Sequence, residues 1–192
     1  MTTQNAWVMR LPWDKIDDAA QAENVPADLL GAIVQTESSG NQFALRAETK
    51  HAWIVDPATA KKTSIALRSH YIYLYKTDEC AKNAGVTHET EIWSQIASWG
   101  LCQIMGAVAR ELGLKGPIVQ LLQMDTNLKY AALLLKRIAK RYDKADDIIA
   151  AYNAGSAVKL INGDYRNQSY VDKVNLHLSA IKLARGSHGK SD

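Results

Sequence analysis

Asp28-Leu29-Leu30-Gly31-Ala32-Ile33-Val34-Gln35-Thr36-Glu37-Ser38-Ser39-Gly40-Asn41 is the stretch on which the fold turns. Leu29, Leu30, Ile33 and Val34 recur at helical spacing, and Pro26 suits the first turn of the helix they predict because its missing N–H is not needed there. Positions 30, 33, 34 and 37 share one face, so Glu37 closes a stripe that should face a core. Ser38-Ser39-Gly40-Asn41 then breaks the helix. A carboxyl on an apolar stripe is costly to bury unless it is paired or protonated. Two readings follow. Glu37 caps a neighbouring helix or pairs with a buried Arg or Lys, or it is an acid whose pKa is raised by desolvation so that it donates a proton near neutral pH.

Outward from this helix, the helical period dominates and few signals favour strands. Asp14 is placed to cap a first helix running to about Asn24. Residues 41–98 are less regular. Asp56-Pro57 marks a turn, Ile65 to Cys80 reads as helix or strand, and Glu89 to Ala97 as a short helix. Ile104 to Leu112 is expected as a helix stopped by Gly113, and Pro117 to Gln123 as a short one. Asp125 is expected to cap a long helix that turns Leu128, Ala131, Leu135, Ile138 and Tyr142 inward. Another starts at Asp143 or Lys144, turns Ala145, Ile148, Ile149 and Tyr152 inward, and is closed by Gly155. The last, Ser169 to Ala184, shows Val171, Val174, Leu178 and Ile181. The pattern predicts a mainly α fold with one domain over 1–185, a less regular region at 42–97, and a flexible tail at 186–192.

The 192 residues are 47% hydrophobic, enough for a core, while the longest apolar runs, such as Ala131 to Leu135, are too short to span a bilayer. The first ten residues lack a charged region followed by an apolar one, so no secretion signal is read, and synthesis in a cytoplasm is expected. Cys80 and Cys102 are then expected as thiols, and without paired cysteines or clustered histidines no metal site and no cofactor is expected. The net charge of +3 is uneven: residues 136–192 hold 11 Lys/Arg against 6 Asp/Glu. That basic part either favours an anionic surface such as a cell wall or is an ordinary solvated face.

Three further stretches carry chemistry only in combination. Gly100-Leu101-Cys102-Gln103-Ile104 reads alone as a helix start with a core anchor. Ala151-Tyr152-Asn153-Ala154-Gly155 reads alone as a tight helix crossing with a glycine stop, and Asn127 as a polar first-turn residue. In this order after Glu37-Ser38, and followed by Tyr170-Val171-Asp172-Lys173-Val174, they resemble the soluble lytic transglycosylase family over roughly residues 22–180. That family shares a lysozyme-like helical fold with the goose-type lysozymes.

The resemblance implies an enzyme that cuts the glycan strands of bacterial peptidoglycan. Glu37 would be the single catalytic acid/base, protonating the glycosidic oxygen after N-acetylmuramic acid. It would then take the proton of that sugar's C6 hydroxyl, leaving a 1,6-anhydro end. Gln103 would hold substrate, Tyr152 would bond and orient Glu37, Asn153 would support the cleft, and Ser38 would support the acid. The cleft is expected between the helical core and the inserted region.

Two departures stand out. Glu37 and Gly100 are 63 positions apart where the family has a short loop, and Cys102 stands where it has methionine, which puts the sugar contact there in question. The segments Asn41 to Glu48, Ser98-Trp99-Gly100 and Met105 to Gly113 look like the variant seen in phage and prophage members, implying an endolysin or a lysin carried in a virion. Among the acids of the insertion, Glu48 is the first candidate for a second carboxylate that positions a water, unless it is simply ion-paired near Arg46. With such a carboxylate the enzyme would be a hydrolysing muramidase. Of the aromatic residues, Trp99 is placed nearest the cleft because it adjoins Gly100, the others being expected in the core. A non-catalytic wall-binding or virion structural protein is the reading from another class. The expected partner is peptidoglycan, not nucleic acid, met by a monomer.

Overall fold

A computed structural model describes residues 6–48, 51, 53–55, 62–64 and 85–186. The expected turn at Asp56-Pro57, the segment Ile65 to Cys80 and the tail beyond residue 186 lie outside the described residues. The chain divides into two compact units, 1–40 with 131–192, and 41–130.

The first unit is built from helices. These are α1 (Trp13–Glu23), α2 (Ala27–Ser38), the end of a long helix (Met124–Ala139, numbered α5 below), α6 (Ala145–Ala154) and α7 (Gln168–Gly186). A short 3₁₀ turn, Val8–Arg10, precedes α1. Asp14 stands within the first turn of α1, where its charge suits the helix dipole, and Pro12 takes the cap position. Pro26 likewise caps α2 from just outside it. The helix ends as its sequence demands, with Ser39 left-handed at φ 54° and Gly40 at φ 81°.

Leu30, Ile33 and Val34 are fully buried, each worth roughly 1.5–3 kcal/mol. Packing is densest between α2 and α7, which buries Val171, Val174 and Ile181. Gly31 lets α1 approach: a Cβ there would meet the Trp13 ring, with Cζ3 at 2.9 Å. In α6, Ile149, Ala150 and Ala151 are buried, Ile148 and Tyr152 half-buried, and Ala145, expected inward, is exposed in the first turn. Gly155 closes α6 at φ 74°.

The second unit holds the strands that the sequence did not announce. A three-stranded antiparallel sheet has the order β1 (Leu45–Ala47), β4 (Ala97–Trp99), β5 (Ile104–Met105). A separate pair joins β2 (Trp53–Val55) to β3 (Lys62–Ser64). Leu45 lies opposite Trp99, and Trp99 opposite Ile104. The expected helix from Ile104 therefore begins two residues later, as α4 (Gly106–Glu111), and α3 (His88–Gln95) stops before β4. Thr87 caps α3 by accepting from the Thr90 N–H. A 3₁₀ turn, Ile118–Leu122, leads into α5 (Met124–Ala139), with Asp125 in its first turn rather than at its cap.

A buried ion pair knits this unit. Arg110 donates from Nε and Nη2 to the two oxygens of Glu91, each at 2.7 Å, and from Nη1 to the Leu114 carbonyl at 2.7 Å. Gln95 joins the network by donating to Glu91 at 2.9 Å and by pairing with both the N–H and the carbonyl of Val55 at 2.7 Å. Two buried charges are tolerable because nearly every donor and acceptor on them is used. No helix among the described residues is long and apolar enough to cross a membrane.

Candidate active site

Glu37 occupies the last turn of α2 and is half-buried at the end of the apolar stripe. Tyr170, in the first turn of α7, donates its hydroxyl to Glu37 Oε1 at 2.7 Å. This bond is a tertiary one between residues 133 apart, and sequence reasoning saw Tyr170 only as part of a motif. Ser38 is half-buried and its Oγ donates back to the Val34 carbonyl at 3.3 Å, a bond along its own helix. Beside Glu37, Thr36 donates to the Ala32 carbonyl at 2.7 Å and its Oγ1 lies 2.9 Å from His177 Nδ1. Burial, and next the charge of Lys173, push the His177 imidazole below its usual range.

Tyr152 and Asn153 stand in the last turn of α6. Asn153 is exposed, and its Oδ1 accepts from Asn167 Nδ2 at 3.0 Å. The same Asn167 amide reaches the Ala150 carbonyl at 3.1 Å, and the Asn167 carbonyl accepts from the Tyr170 N–H at 2.9 Å. Asn167 thus clamps the end of α6 to the turn of α7 that carries Tyr170. A lone Asn ahead of a helix was the only sequence signal for it. The loop between the clamped ends is tethered by Tyr165, which donates its hydroxyl to Asp147 Oδ1 at 2.6 Å. That bond, then burial, push the phenol up to about 12.

In the second unit, Gly100 to Gln103 form the turn between β4 and β5 rather than a helix start. Gly100 has φ +69°, and a Cβ on it would lie 2.5 Å from both Asn127 Nδ2 and the Leu121 carbonyl. Only glycine satisfies both the backbone sign and the space. Asn127 is the organiser: Nδ2 donates to the Trp99 and Leu121 carbonyls, and Oδ1 accepts from the Cys102 N–H, all at 2.8 Å. An asparagine read as a polar first-turn residue is therefore a buried three-bond brace.

Gln103 is half-buried and left-handed at φ 48°. Its Nε2 donates to the Ala44 and Gly100 carbonyls, both at 3.1 Å. Two carbonyl partners fix which end of the amide is nitrogen, so Oε1 points the other way. Cys102 corrects its expected role. It is 0% exposed and in no disulfide, so its side chain offers a sugar no surface. A short apolar side chain at that position fills the core under the turn. Trp99 is 9% exposed, with its indole N–H donating to the Ser94 carbonyl at 2.8 Å, so little of its ring is available. Glu48 Oε1 accepts from Arg46 Nε at 2.7 Å and from Ser98 Oγ at 2.8 Å. This is the ion-paired arrangement considered beside the catalytic one.

The transglycosylase SLT domain family matches residues 14–173, most of the chain. The chain belongs to that family, whose members are lytic transglycosylases acting on peptidoglycan, and its mainly helical architecture fits their lysozyme-like fold. Searches of curated proteins and of solved structures each returned no match.

Proposed function

We propose that this chain is a peptidoglycan lytic transglycosylase that cleaves the β-1,4 bond between N-acetylmuramic acid and N-acetylglucosamine, with Glu37 as its one acid/base. The observation that carries the reading is the half-buried Glu37 carboxyl with the Tyr170 hydroxyl on Oε1 at 2.7 Å. In the neutral form Glu37 carries its proton on the carboxyl that the Tyr170 hydroxyl orients. That proton passes to the glycosidic oxygen as the bond breaks, and the resulting carboxylate is steadied by the Tyr170 hydroxyl. The same carboxylate then accepts the proton of the muramic acid C6 hydroxyl, whose oxygen attacks C1 and closes the 1,6-anhydro ring. No water is consumed, and the carboxyl returns to its starting state.

Gln103 is the proposed substrate-holding residue of the second unit, with Oε1 as its acceptor. Tyr152 and Asn153 support the acid and the cleft wall. The phage-like segments Asn41 to Glu48 and Met105 to Gly113 support a role as an endolysin or virion-associated lysin.

Digestion of purified sacculi followed by mass spectrometry of the released muropeptides tests the chemistry. Anhydro-muramyl ends are expected, and they should vanish with Glu37→Gln. Water-added reducing ends would instead establish a muramidase, with Glu48 the first acid to substitute. Wall binding without any product would mark a non-catalytic protein.

A further inference from the structure

Phe43 stands out among the exposed apolar side chains by where it is held. It is 69% exposed, and its ring left in water forgoes a burial worth roughly 2 kcal/mol. A single exposed apolar residue is ordinary on any surface. This one, however, is fixed to the turn that carries Gln103. Its own N–H donates to Asn41 Oδ1 at 2.9 Å, and the next N–H, of Ala44, goes to the Asn41 carbonyl at 3.3 Å. The Ala44 carbonyl then accepts both the Gly100 N–H at 2.7 Å and Gln103 Nε2 at 3.1 Å. The carbonyl of the residue that follows Phe43 is therefore the support of the Gln103 side chain. Leu45, two residues on in edge strand β1, is also exposed.

We propose that Phe43 is a saccharide-stacking residue, its ring packing against the apolar C–H face of a sugar whose polar edge is held by Gln103. Pyranose rings present axial C–H bonds on one face and hydroxyls around the rim, so an aromatic face paired with an amide matches both. The backbone bonds on either side of Phe43 pre-pay the ordering of the platform, so binding need not fix a mobile loop. A stacking contact makes no bond to the reacting atoms, and Phe43 therefore acts on affinity rather than on the chemical step. The inference rests on the glycan-cleaving reading for its ligand class.

The test uses soluble, uncrosslinked peptidoglycan glycan strands and the full chain. Phe43→Ala is expected to raise KM about fivefold at unchanged kcat, the size of one aromatic contact. Phe43→Trp restores the parental value and Phe43→Leu does not. Because the side chain is exposed, the thermal midpoint should not move. Parental KM in Phe43→Ala, or full restoration by leucine, overturns the stacking role. Direct strand binding to Glu37→Gln, with and without Phe43→Ala, separates the two ideas. Cleavage surviving in Glu37→Gln would refute the catalyst alone, whereas equal strand affinity in the two variants would refute Phe43 alone.

Discussion

Tyr170 donates its hydroxyl to Glu37 Oε1 at 2.7 Å, joining the first turn of α7 to the last turn of α2. A phenol aimed at one carboxyl oxygen orients the acid and stabilises its ionised form without adding charge. Tyr170→Phe removes only that bond. A hydrogen bond to a charged group is worth about 1.5–3 kcal/mol. The variant should therefore lose on the order of ten- to a hundredfold in kcat, with KM little changed, in steady-state assays on soluble glycan strands. Parental kcat would show that the bond has no catalytic part.

Gly100→Ala tests the turn under Gln103. The new Cβ would be forced against Asn127 Nδ2 and the Leu121 carbonyl, each 2.5 Å away, at a positive φ. The cost should be about 2 kcal/mol or more, read as a lower denaturant midpoint. Asn127→Ala should cost a similar amount by orphaning the Cys102 N–H and two carbonyls.

Breaking the Glu91–Arg110 pair from one side should be far worse than removing it whole. Arg110→Met leaves an unpaired carboxylate at 1% side-chain exposure, and about 3–5 kcal/mol should be lost. For a chain of this length that is a fall of roughly 10 °C in melting temperature. Adding Glu91→Leu should recover much of it, and calorimetry of the two variants decides.

His177 should give the fold an acid-sensitive component. Thr36 spends its proton on the Ala32 carbonyl, so it accepts from His177 Nδ1–H, and Nε2 is the nitrogen that takes an extra proton. Because the folded pKa lies below the ordinary 6.5, the folded chain prefers the neutral ring. This contribution is therefore fully present above 6.5 and lost as the pH falls through the lowered value. Thermal midpoints measured down an acid series should fall less steeply in His177→Gln than in the parent.

Helices with a long apolar stripe were legible because about three to five turns repeat one message. α2, α6 and α7 lie close to where their periodicity placed them, and Glu37 ends its stripe half-buried. The strands were not, since two or three residues cannot display an alternation, and Ile104-Met105 read as the start of α4. Sequence proximity also misled. Cys102 and Trp99 flank the Gly100 turn, yet both face inward. The side chains that build the sites, Tyr170 on Glu37 and Asn127 under Gly100, act across 133 and 27 positions, which local pattern does not encode. Glu48 was legible in its bland form, because Arg46 two residues away already offered it a partner.

The amide of Asn167 has a practical corollary for engineering. It fastens the segment between Gly155 and Tyr170 at its downstream end, while Lys159 and Tyr165 pair at its neck. The tip beyond that neck, around Ile161-Asn162-Gly163, is exposed. An epitope or targeting peptide spliced there should be displayed without retuning the enzyme, which makes this loop the natural place to lengthen the chain.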